Sequence, residues 1–196
     1  MLNKNVLRRL AMGMFLSLLV LGMTACKGDD DAIPENGMIG TGTKVLNYTP
    51  WYIHTFEIKG PPGSGVSGVG PNVFPADSAS EPSGGGKEMC CSTIPYVWQP
   101  YLTLTVRWLA YKKQNGNGKT SWYKADNVRI AKYDGKKLGG LWAIFLPGDR
   151  VRLMVADGNT YGGNDLNHRP PDDDPYIVQG TIDHEWNRLY REGGDN

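Results

Sequence analysis

The clearest period-two alternation in the chain covers residues 101–108, where Leu102, Leu104, Val106 and Trp108 alternate with Thr103, Thr105 and Arg107. Successive side chains of a strand point to opposite faces, so this pattern predicts a half-buried antiparallel strand. Val151, Leu153 and Val155 alternate in the same way against Arg150, Arg152 and Met154. Just before them, residues 141–146 (LWAIFL) are wholly apolar, which fits a strand buried on both faces. Pro147-Gly148 suits the centre of a type II turn, so 141–146 and 150–155 are expected to form a hairpin. Residues 45–58 (VLNYTPWYIHTFEI) also have strand character, with Tyr52, His54, Phe56 and Ile58 expected on one core face. Asn115-Gly116-Asn117-Gly118 reads as a turn and strand residues resume at 121–123. Val128 and Ile130 mark another strand, which ends at Asp134-Gly135.

The segments between these strands are long. Residues 59–71 (KGPPGSGVSGVGP) read as a Gly/Pro loop that continues through polar residues 72–88 to Gly84-Gly85-Gly86. Such an excursion in a compact domain is often functional or disordered. Residues 157–175 are polar and rich in Gly, Pro and Asp. Residues 183–191 predict a helix capped by Asp183, with Ile182, Trp186 and Leu189 or Tyr190 inward. No internal repeat of fixed period is present. With 26 Gly and 13 Pro among 196 residues, the composition suits a loop-rich β domain and stays below the disordered range. The expected fold is all-β, an antiparallel β-sandwich (Ig-like or related) with long loops and a short C-terminal helix.

The start of the chain has a different logic. Lys4, Arg8 and Arg9 precede an apolar run over residues 10–23, shorter than the roughly 20 residues a spanning helix needs. A basic start and a short apolar stretch make an export signal. The run ends in Met23-Thr24-Ala25-Cys26, which resembles the lipobox of bacterial lipoproteins. In that resemblance the Cys26 thiol receives a diacylglycerol and cleavage falls before it. Met23 stands where Leu is usual, and it also disfavours ordinary signal cleavage, which wants a small residue there. The expected organisation is a signal peptide over 1–25, a flexible tether over 26–43 and one β-rich domain over 44–196. Lys27 follows the cysteine, where Asp is the usual inner-membrane retention signal. The expected location is therefore the inner leaflet of the outer membrane, facing the periplasm. The removed segment carries three cations and no acid, so the mature chain is close to neutral. No basic field draws it to nucleic acid.

Candidate chemistry is sparse. Beyond Cys26 only the adjacent Cys90 and Cys91 remain. A pair of thiols and a strained, labile vicinal bridge are both open, and no zinc-type spacing surrounds them. Gly63-Ser64-Gly65-Val66-Ser67-Gly68 matches G-x-G-x-x-G, but Pro71 and Pro75 follow instead of a helix, so it reads as a flexible loop. Asp172-Asp173-Asp174 lacks the spaced ligands of a calcium loop and reads as solvated. His54 is expected to be a hydrogen-bonded structural residue, and His184 belongs to the helix start. No Ser occupies a G-x-S-x-G elbow. No catalytic residue, cofactor or metal is expected, and the chain does not read as an enzyme. Six tryptophans are expected mostly in the core, with one or two free to stack on a sugar or anchor a protein interface.

Three segments together resemble a family of Gram-negative lipoproteins catalogued as a domain of unknown function. The first is Asn47-Tyr48-Thr49 leading into Tyr52-Ile53-His54. The second is Gly84-Gly85-Gly86-Lys87, followed by Cys90-Cys91, Trp98 in a W-x-P-x-L series and Leu104-Thr105-Val106-Arg107-Trp108. The third is Leu146-Pro147-Gly148-Asp149. Some members of that family resemble immunity lipoproteins encoded beside type VI secretion lipase effectors. The resemblance implies a periplasmic protein that binds a phospholipase toxin and blocks it, and it brings no catalytic residues. The contact loops are then expected at 59–88 (Gly63, Ser64, Val66, Val69) or 157–175 (Tyr161, His168, Arg169). The alternative is a glycan-binding or structural envelope lipoprotein that uses exposed Trp.

Overall fold

The alternating segments become strands of a single sheet. The computed structural model describes residues 33–114, 116–159 and 164–192. Cys26, the expected signal peptide over 1–25 and Tyr161 lie outside them. The strands are β1 (Met38–Asn47), β2 (Tyr52–Lys59), β3 (Ser67–Gly70), β4 (Ser83–Gly84), β5 (Met89–Pro95), β6 (Leu104–Gln114), β7 (Asn117–Val128), β8 (Leu141–Leu146), β9 (Arg150–Val155), β10 (Val178–Gln179) and β11 (Thr181–Ile182), followed by one helix, α1 (His184–Glu192). Their order is β10-β9-β8-β1-β5-β3-β2-β6-β7-β11, with β4 on β1. All pairings are antiparallel except β1 with β8.

The two ends of this sheet meet in one short segment. Val178 and Gln179 pair with β9, and Thr181 and Ile182 pair with β7. Only Gly180 lies between them, and its N–H donates to Asp149 O at 2.8 Å. The sheet therefore curls into a nearly closed, barrel-like form and both edge strands are covered. The all-β class and the short C-terminal helix are as expected. The hydrogen bonding runs unbroken through one sheet and does not divide into the two sheets of a sandwich.

Alternation sets the interior. Phe56, Trp108, Tyr123 and Phe145 face inward, with Trp108 stacked on Tyr123 at 5.7 Å and tilted against Phe145 at 5.4 Å. On β8 the two faces serve two cores. Leu141, Ala143 and Phe145 join the barrel interior, while Trp142, Ile144 and Leu146 join an outer cluster with Tyr48 and Met154. Leu166 and Ile177 of the tail cover that outer cluster. The 141–146/150–155 hairpin forms as expected, and Gly148 has the positive φ (81°) that a type II turn requires. β9 is not half-exposed, however, because the tail buries Arg152 and Met154 as well.

Several boundaries differ from the sequence reading. β1 begins at Met38, inside the stretch expected as tether. Residues 45–58 make two strands joined by a turn at 48–51. β7 is continuous over Asn117–Val128, and Ile130 makes only an isolated bridge to Leu153. The Gly-rich stretch 59–71 is a hairpin rather than a free loop: β3 pairs with β2, and Gly60 N–H donates to Val66 O at 2.9 Å. A Cβ at Gly70 would sit 1.7 Å from the Phe56 ring, so this strand is glycine-rich because the neighbouring side chain fills the space.

Strand directions give the barrel two distinct ends. At the end where β1 begins lie residues 33–37, the 60–66 hairpin, 96–103 and 129–140. At the far end lie 48–51, 71–75 and 147–149.

Candidate functional site

The outer face of β2, β6 and β7 carries three tiers of side chains. In the first, Glu57 pairs across strands with Arg107, and Arg107 with Lys124. The Arg107 guanidinium donates to Glu57 Oε1 at 3.1 Å and to Asp183 Oδ2 at 3.0 Å. Burial disfavours its charge, but these carboxylates outweigh that and hold its pKa above the ordinary value. Asp183 also caps α1 as expected, its Oδ1 accepting from Trp186 N–H at 3.1 Å. In the second tier, Trp122 meets Trp186 edge-on at 4.7 Å, and the Arg107 guanidinium lies 5.0 Å from the Trp186 ring centroid. Ile182, Leu189 and Tyr190, expected inward, are about half exposed, because α1 meets the sheet mainly through Trp186 and Asn187.

The third tier, toward the far end, is aromatic and open. Tyr52 pairs with Tyr111, contacts His54 edge-on at 4.5 Å and lies 5.5 Å from Phe74. Phe74 is 63% exposed and Tyr111 39%, and His54 is exposed. His54 was expected in the core. A bulge between Ile53 and Thr55 shifts the register, so Ile53 faces inward and His54 turns outward beside Tyr52. Asn72 Nδ2 donates to the Tyr52 hydroxyl at 2.7 Å.

Asn47 sets this group in place. It is fully buried, and its Nδ2 donates to Trp51 O and Phe74 O, each at 2.8 Å. Its Oδ1 accepts from Thr49 N–H at 3.0 Å and Thr49 Oγ1 at 2.7 Å. One amide thus ties the 48–51 turn to the segment bearing Phe74. Inside the far mouth of the barrel, Lys112 pairs with Asp149 and lies 4.0 Å from the Tyr123 ring centroid, so this end is plugged.

The residues expected in contact loops do not form one site. Gly63 and Ser64 lie on the 60–66 hairpin at the end where β1 begins, and Val66 is buried in the core. Val69 is 46% exposed on β3. Removing 61–71 would therefore delete β3 and part of the core, so the segment is not a dispensable loop. His168 lies over β9 instead, 83% exposed, with Nδ1 2.6 Å from Asp165 Oδ2. Arg169 shares Asp172 with Arg150, each at 2.7 Å, and the tail is tied down again by Arg152 to Asp174 at 2.9 Å. The acidic run 172–174 thus serves arginines rather than a solvated loop alone. Cys90 and Cys91 are joined as a vicinal disulfide, and both are exposed. Of the tryptophans, Trp108 and Trp142 are buried and the other four are half-buried, so the openly exposed rings are Tyr and Phe.

Sequence reasoning missed Tyr111, which follows directly on the alternating run, and Phe74, which sits in a polar stretch. Among the described residues no cluster of three or more His, Cys, Asp or Glu could hold a metal, and no helix is long and apolar enough to cross a membrane. Residues 46–153 match the family described as "Protein of unknown function (DUF3304)", a span that contains Asn47, Tyr52, His54, Phe74 and Tyr111. No curated protein and no solved structure matches the chain.

Proposed function

We propose that this chain, which belongs to the DUF3304 family of proteins of unknown function, is a periplasm-facing lipoprotein that captures a type VI secretion phospholipase effector and blocks it. Cys26 carries the lipid, and the barrel binds without hydrolysing anything itself. The observation that supports this most is the open aromatic group Tyr52, His54, Phe74 and Tyr111, fixed from behind by Asn47. Exposed aromatics on a rigid support lose little entropy on binding and are enriched among interface residues that dominate affinity. The resemblance of the lipobox and of the family segments to immunity lipoproteins supplies the class of partner. The capture face is a strand surface rather than either Gly-rich segment.

A glycan-binding or structural envelope role is the second reading. The same exposed rings favour it, since an aromatic face also stacks on a sugar ring. One titration separates the two. A cognate phospholipase effector should lose its activity as the purified mature protein approaches equimolar amounts. A lipase still fully active at several-fold molar excess would remove the inhibitor reading and leave the glycan one. In cells, wild type should take up labelled palmitate and Cys26→Ser should not.

A further inference from the structure

The end of the barrel opposite the aromatic group collects exposed apolar side chains at the point where the chain enters the fold. Tyr101 is 93% exposed, Ile33 60% and Val97 59%. Backbone contacts bring the Ile33 and Val97 stretches together, Gly37 N–H donating to Pro34 O at 2.7 Å and Tyr96 N–H to Gly37 O at 2.9 Å, and Tyr101 lies in the same 96–103 connection. The 129–137 segment is fastened beside them, Trp98 Nε1 donating to Ile130 O at 2.9 Å and the Tyr133 hydroxyl to Pro95 O at 2.5 Å. That segment carries exposed Lys132 and Lys137 on either side of exposed Asp134, and exposed Glu35 follows close after Ile33. Asp134 accepts from Lys136 N–H, and Asp157 from Asp134 and Asn159 N–H, which holds this segment in shape. An exposed aromatic and two exposed aliphatic tips suit the boundary between headgroups and acyl chains.

We infer that this end of the barrel rests on the phospholipid surface that holds the protein's own lipid anchor. The inference depends on the reading of Cys26 as lipidated. Only the seven residues 26–32 then separate the lipid from Ile33. Fully extended they reach about 25 Å, and as a flexible chain about 15 Å. Ile33, Val97 and Tyr101 therefore stay within reach of the bilayer, and a contact too weak to recruit a free protein holds a tethered one. Resting this way turns the aromatic group outward, roughly 20 Å along β6 from the membrane-facing end.

The test uses the full-length, lipidated chain in vesicles of phosphatidylethanolamine and phosphatidylglycerol, with hydrogen exchange read by peptide. Residues 96–102 should exchange several-fold more slowly on vesicles than in the soluble Cys26→Ser chain, with β6 unchanged. A lipidated Val97→Ser/Tyr101→Ser chain should float with the vesicles and lose that protection. Wild type that floats without slowing at 96–102 overturns the docking and leaves the anchor reading intact. A wild-type chain that does not float overturns both.

Discussion

Closing the barrel through Gly180 makes a steep prediction for one methyl group. A Cβ at Gly180 would stand 2.2 Å from the Trp108 ring and 2.9 Å from Asp149 O. Ordinary carbon contacts are about 3.5–4.0 Å, so the ring would have to move by more than an ångström. It has nowhere to go: Trp108 is 2% exposed and held between Tyr123 and Phe145. Asp149 is fixed in turn, since its carbonyl accepts the Gly180 N–H and its carboxylate meets Lys112. Overpacking of this kind costs about 1–3 kcal/mol, and replacing Gly by Ala recovers about 0.5 kcal/mol through the unfolded chain. Gly180→Ala should therefore destabilise by about 2 kcal/mol and lower Tm by roughly 4–8 °C. Gly40→Ala is the control, because nothing lies within 4 Å of its Cβ position. It should match or slightly exceed wild type. Paired urea titrations and thermal melts measure both variants. If Gly180→Ala melts with Gly40→Ala, the segment 178–182 does not close the sheet as described.

Asn47→Ala should cost about 3 kcal/mol, since it strips hydrogen bonds from the 48–51 turn and from Phe74 O together, and near-ultraviolet dichroism should change with it. At α1, Asp183→Asn keeps a cap but loses the charge opposite Arg107, while Asp183→Ala loses both. Unfolding free energies from urea titrations should fall in that order, with Ala lower than Asn by about 1 kcal/mol. Burial pushes the Tyr133 hydroxyl up from 10.0 to about 12, so folding favours its neutral form. That stabilisation is complete below pH 10.0 and is lost as pH rises toward about 12, and Tyr133→Phe should flatten this part of the stability profile.

Legibility followed the hydrophobic signal. Leu102–Trp108 and the LWAIFL hairpin carry large side chains at clear spacing, and both became strands as expected. β3 was hidden because Gly68 and Gly70, where alternation would show, are small to admit Ser92 and Phe56. His54 was misplaced by a bulge, which a strict period of two cannot contain. Arg152 looked like a solvent-facing residue, and its partner Asp174 lies 22 positions on, beyond any local pattern. Ring closure by 178–182 is a property of two strand edges far apart in sequence, so no window could reveal it. The aromatic site was half legible: Tyr52 and His54 were singled out, but as core. Phe74 is brought to them by the Asn47 amide, across 27 positions, and by the backbone bridge between Ile53 and Val73.

Affinity for the phospholipase effector proposed as the partner tests the account most directly. In a calorimetric titration, Phe74→Ser/Tyr111→Ser should bind at least ~100-fold more weakly than wild type, as expected for losing two aromatic anchors. Val97→Ser/Tyr101→Ser, altered at the opposite end of the barrel, should bind as wild type does. Equal affinity for wild type and Phe74→Ser/Tyr111→Ser, with the fold intact, would contradict capture through this face.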